Sequence, residues 1–128
     1  MTRLNVVDSS GWLEYFGIGD AGDSFAAAID APEGLIVPVI SIFEVYKRLR
    51  PQSGEFDALR AVSVMRLGRV VELDVDLAIK AADLSITHKL PMADSIIYAT
   101  AQRFDAELWT QDADFDGLPG VRYFPKIS

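Results

Sequence analysis

The chain alternates short apolar runs with longer stretches in which apolar residues recur every three or four positions. "RLNVVDSS" reads as a short buried strand that stops at Asp8, and "SGWLEYFG" as a helix closed by Gly17, with Trp12 and Phe16 on one face. "DSFAAAIDA" has the spacing of a second helix, and Pro32 to Gly34 mark a turn. "LIVPV" is a strand that leads at Ser41 into the helix "SIFEVYKRLR", expected to stop before Pro51. "GEFDALRAVSVMRLG" is again helical, "RVVELD" a strand, and "VDLAIKAADLSITHK" a helix that Pro91 separates from "MADSIIYATAQRFDA". "ELWT" and "VRYF" are the last strands. Strands alternating with helices predict an α/β fold with a mainly parallel central sheet and helices on both faces.

In such sheets ligands gather beyond the carboxyl ends of the strands. Asp8 directly follows the first strand, Glu44 falls in the first turn after "LIVPV", Asp94 in the first turn after Pro91, and Asp112 two residues after "ELWT". All four carboxylates are expected on one edge of the sheet, where their repulsion demands protons or cations. Each has a structural explanation too. Ser41 to Glu44 has the S-x-x-E spacing of a capping box, Asp8 suits the cap of the first helix, and Asp94 complements a helix dipole. Capping accounts for each acid singly, but not for four at one edge with few basic residues among them.

Asp112, Asp114 and Asp116 with Gly117 open like a calcium-binding loop, but the twelfth residue, which should be a glutamate, is Tyr123. Pro119 and Gly120 also break the segment, so an EF-hand is excluded, and Asp116 reads as part of a solvated turn. The absence of cysteine removes disulfides, thiolate metal sites and cysteine nucleophiles, leaving oxygen chemistry. Magnesium or manganese fits such ligands and, in phosphodiester hydrolysis, activates water and stabilises the leaving oxygen.

At 128 residues, one domain spanning 1–128 is expected. No apolar stretch approaches the roughly 20 residues of a membrane helix, and no signal pattern opens the chain, so a cytoplasmic protein is expected. Nineteen acidic against twelve basic residues give a net charge of -7, which repels nucleic acid unless cations or a basic patch offset it. Lys47, Arg48 and Arg50 follow Glu44 and are candidates for such a patch, a solvated helix end being the plainer reading. The single histidine, His88, sits near a helix end and receives no catalytic role.

The segments "VVDSSGWLEYF", "SIFEVYKRL", "LPMADSIIYATAQ" and "LWTQDADFDGLPGV" together resemble the PIN-domain ribonucleases, most closely the VapC-type toxins of toxin–antitoxin pairs. The resemblance implies a three-layer α/β/α sandwich with strand order 3-2-1-4-5 and cleavage of RNA by a metal-activated water, without a covalent intermediate. It implies Asp8, Glu44, Asp94 and Asp112 as the acids that hold Mg2+ or Mn2+, with Asp114 supplementing them. Ser9 and Thr110 lie beside the acids and are candidates to orient them. A VapB-like antitoxin that places a basic side chain in the acidic pocket is the implied partner, along with a homodimer. Trp12, Tyr15 and Phe16 are candidate interface anchors, with core packing as the competing role.

Two other classes compete. A receiver-like signalling domain could use Asp74 as phosphoacceptor, but it leaves Glu44 and Asp94 unexplained and its lysine would be Lys126, too near the end. A phosphatase of the haloacid dehalogenase type wants an aspartate where Ser10 stands. A non-catalytic module whose acidic pocket receives a partner's arginine would use the same acids, and metal-dependent RNA cleavage separates the two.

Overall fold

The computed structural model describes residues 3–17 and 22–126. Five strands, β1 (Asn5–Val7), β2 (Leu35–Pro38), β3 (Arg69–Val71), β4 (Glu107–Thr110) and β5 (Val121–Tyr123), form one parallel sheet in the order β3-β2-β1-β4-β5. That order excludes the receiver-like alternative, in which the second strand is at the edge and the first and third are neighbours.

Side-chain alternation divides the core into two layers. Val7, Leu35, Val37 and Trp109 pack on one side of the sheet with Trp12, Phe25 and Met65, whereas Val6, Ile36 and Leu108 pack on the other with Ile97, Tyr98 and Phe115. The first layer is covered by α1 (Ser9–Phe16), α2 (Gly22–Ile29) and α3 (Val39–Met65). The second is covered by α5 (Met92–Arg103), against which α4 (Val75–His88) packs through Leu77, Ala81, Ile96 and Ala99. The result is the three-layer sandwich.

Two expectations are corrected and one open alternative is decided. The helix after β2 starts at Val39 with Pro38 as its cap, and no side chain caps it; the hydroxyl of Ser41 is buried without a hydrogen-bond partner. Ser41 and Glu44 are therefore no capping box, and Glu44 lies in the second turn. The helix also continues through Pro51, whose fixed φ suits it, and is interrupted only at Gly54, where φ 87° and ψ 169° are open to glycine alone. Finally, Trp12 is fully buried and stacks on Phe16 at 5.7 Å, so it belongs to the core rather than to an interface; Tyr15 and Phe16 are half-buried.

Gly11 lets α1 lie close to β1. A Cβ there would stand 2.7 Å from Val7 Cγ1 and 2.8 Å from Phe25 Cδ1. Gly11→Ala is expected to lower stability by about 1–3 kcal/mol through overpacking, read by denaturant unfolding. An unchanged midpoint would show that the helix yields freely.

Candidate metal centre

β1 and β4 are neighbours in register, Val7 opposite Trp109, so Asp8 and Thr110 emerge level with each other. The Asp8 backbone N–H donates to the Trp109 carbonyl at 3.0 Å, continuing the ladder by one bond. Asp8 is then the cap of α1. Its Oδ1 accepts from the Gly11 backbone N–H at 3.1 Å and from the Ser10 hydroxyl at 2.7 Å, and its Oδ2 accepts from the Thr110 hydroxyl at 2.8 Å. Thr110 also accepts from the Asp112 backbone N–H at 2.9 Å. One buried hydroxyl thus ties the two strand-end aspartates together. Asp112 in turn accepts from the backbone N–H of Asp114 at 2.9 Å, closing the short 3-10 turn Ala113–Phe115.

Asp94 arrives from the other layer. It is the third residue of α5, and the residues that follow, Ser95 to Ala101, are all buried between α4 and the sheet. That clamp fixes where the helix start points. An oxygen each of Asp8, Asp94 and Asp112 lies within 4.8 Å of the others. Among the described residues no lysine or arginine forms an ion pair with any of these acids.

Burial first, and the uncompensated charge after it, show in the acidities. Burial, then the charges of Asp112 and Asp8, the hydrogen bond to Asp112 and the charge of Glu44 push Asp94 up to about 7. Burial also pushes Asp8 up to about 6; hydrogen bonds from Ser10, Thr110 and Gly11 oppose the rise, while Asp112 adds to it. The donor set, three carboxylates without a basic partner among the described residues, fits a small hard cation, which takes oxygen ligands.

Glu44 stands outside this triangle. Its Oε1 accepts from the Ser9 hydroxyl at 2.5 Å, yet it is near enough for its charge to act on Asp94. Asp114 is exposed and does not join the three. Lys47 and Arg48 are exposed on α3, whereas Arg50 is paired with Glu55 at 3.7 Å. Asp74 is elsewhere: it caps α4 and takes two hydrogen bonds from Arg103, at 2.7 and 2.9 Å, which hold its carboxyl down to about 2. The sequence reading missed Ser10 as a donor to Asp8. The available signal was the hydroxyl two residues after a capping aspartate.

A carboxyl whose pKa rises on folding contributes stability at low pH that is lost as pH climbs from the unfolded value of 3.8 through the folded values of about 6 and about 7. Without metal, Asp94→Asn should therefore raise the melting temperature above pH 7, with an advantage that shrinks toward pH 4. An equal effect at both ends of that range would mean that the cluster carries no such strain.

No curated protein matches this chain. Among solved structures, a chain of a toxin–antitoxin complex from Klebsiella pneumoniae is 24% identical with a TM-score of 0.82, covering 96% of this chain and 99% of that one. The VapC20 of Mycobacterium tuberculosis, described as a toxin that cleaves the sarcin-ricin loop, is 22% identical with a TM-score of 0.75, covering 92% and 98%. A chain of the DNA-bound VapBC of Salmonella typhimurium is 14% identical with a TM-score of 0.72, covering 97% and 98%. These likenesses establish the fold. The family model for the PIN domain matches residues 6–121, a span that contains every acid described above, and the chain belongs to the PIN-domain family.

Proposed function

We propose that this protein is a divalent-cation-dependent endoribonuclease, the toxin of a VapBC-type pair. The observation that carries the reading is the convergence of Asp8, Asp94 and Asp112 with no basic partner among the described residues. The sarcin-ricin loop cleaving VapC20 and the toxin–antitoxin complexes among the structural relatives support it.

Asp8, Asp94 and Asp112 would hold Mg2+ or Mn2+, with Glu44 and Asp114 as further carboxylates at the rim. The cation, when bound, supplies a water of lowered pKa and neutralises charge developing on the phosphate. The chain's own residues do the positioning. Thr110 and Ser10 fix both oxygens of Asp8, so its lone pairs are oriented before any ligand arrives, and Ser9 holds Glu44 beside the triangle. Lys47 and Arg48 lie C-terminal to Glu44 on α3, where they would bind phosphates against the net negative charge; Arg50 joins them only by leaving Glu55.

The lack of a basic partner for these acids among the described residues also supports an antitoxin whose arginine or lysine enters the acidic pocket. A homodimer is supported by α4, where Val75, Ile79 and Ile86 lie on one helical face at 74%, 60% and 78% exposure; a monomer by sedimentation at micromolar concentration would contradict it. No helix among the described residues is long and apolar enough to cross a membrane. Action on RNA in the cytoplasm belongs to the same proposal.

RNA cleavage is expected to vanish in EDTA and return with magnesium or manganese. Asp94→Asn should lower the rate at least about a hundredfold and Thr110→Val about ten- to a hundredfold, each with an unchanged circular-dichroism spectrum. Undiminished cleavage in EDTA would overturn the mechanism. A folded, cation-binding protein that cleaves no RNA would instead favour a non-catalytic acidic module.

A further inference from the structure

Phe43 is 59% exposed although it sits one residue before Glu44, and it belongs to none of the core clusters. It lines a cleft of about 360 Å³ together with Ser9, Leu13, Glu44, Lys47 and Arg48, a volume within the roughly 300–1,000 Å³ typical of small-molecule sites. One wall of this cleft is the rim of the acidic centre, because Ser9 follows Asp8 in the chain and donates to Glu44. The opposite chemistry stands on the same helix. The Lys47 ammonium lies 5.6 Å from the centroid of the Phe43 ring, one helical turn away. Among the described residues neither Lys47 nor Arg48 is in an ion pair, in contrast to Arg50.

An exposed aromatic ring with the Lys47 ammonium over it, a second cation outside any ion pair among the described residues, and an adjoining carboxylate cluster form a combination that core packing does not explain. Water gives a phenylalanine ring nothing, whereas an unstacked nucleobase gives it a face to cover. The cations suit the phosphate that such a base carries. We infer that Phe43 is a stacking platform for an unpaired base of the RNA substrate next to the scissile phosphate, with Lys47 and Arg48 holding the neighbouring phosphate. The inference rests on the ribonuclease reading and names the substrate as RNA with an unpaired base at the cut. An apolar side chain of an antitoxin is the rival occupant, but two cations at the rim that pair with no carboxylate among the described residues favour an anion.

Phe43→Trp provides the test, because Trp12 and Trp109 are 0% and 6% exposed and an indole at position 43 would be the accessible reporter. With calcium replacing magnesium and RNA integrity checked on gels, single-stranded RNA of mixed sequence should quench this indole saturably. A sugar-phosphate chain of equal length without bases should not. Phe43→Leu, which keeps apolar area but removes the π-face, should weaken RNA binding about tenfold, while Phe43→Trp retains it; the exposure of the site makes misfolding easy to check by circular dichroism. RNA binding without quenching, equal affinity of Phe43→Leu and wild type, or loss of antitoxin binding with RNA binding intact would each overturn the inference. The quench is read without catalysis, so it stands apart from the EDTA and Asp94→Asn tests of the nuclease reading. Quenching in a protein that cleaves nothing would leave the platform standing and remove the enzyme.

Discussion

Three carboxylates whose oxygens lie within 4.8 Å of one another, in surroundings that push two of them up to about 6 and about 7, are ionised together only at a cost in stability unless a compensating charge is present. That constraint governs the rest of the site. The fold must hold the acids together by interactions that do not depend on their charge state, and the compensating charge must come from outside, as protons, a cation or a partner's basic side chain. The described residues include no lysine or arginine paired with them.

The sheet order supplies the rigid part of the answer. Because β1 and β4 are neighbours in register, a single threonine at the end of β4 reaches the carboxylate of Asp8 and the backbone of Asp112 at once. Asp94 comes from the opposite layer, on a helix buried from Ser95 to Ala101, so the triangle joins the layers on the two faces of the sheet. Gly11 brings α1 close enough for the Asp8 carboxylate to receive the helix N-terminus. Family membership follows the same span of chain, residues 6–121.

Much of this was legible in the sequence, because strand ends are easy to read where apolar runs stop abruptly at an acid. Asp8 ends such a run, Asp112 follows one after Thr110 and Gln111, Asp94 follows a proline that starts a helix, and the three are found together. Glu44 was legible as an acid near a strand end, but its pairing with Ser9 depends on how α1 meets α3, which no local pattern records. The capping box at Ser41 failed because the helix had already begun at Val39, a boundary that the apolar run through Pro38 and Val39 conceals. Pro51 promised a stop that the backbone made only at Gly54, where a positive φ ends the helix more decisively than a missing N–H. Trp12 stayed open between anchor and core because periodicity shows that residues share a face, not what that face meets. Phe43 escaped notice for the converse reason, since an apolar residue in a helix reads as core until its exposure is known.

The exchange of protons for a divalent cation is the centre of this account, and calorimetry measures it directly. Manganese titrated into the protein at a pH between the two raised values, in two buffers of different ionisation enthalpy, reports the protons released per ion. The account predicts release of about one proton per bound ion, and a smaller release with Asp94→Asn. Manganese binding with no proton release, or release unchanged by that substitution, would contradict the claim that the buried aspartates hold protons until a cation replaces them.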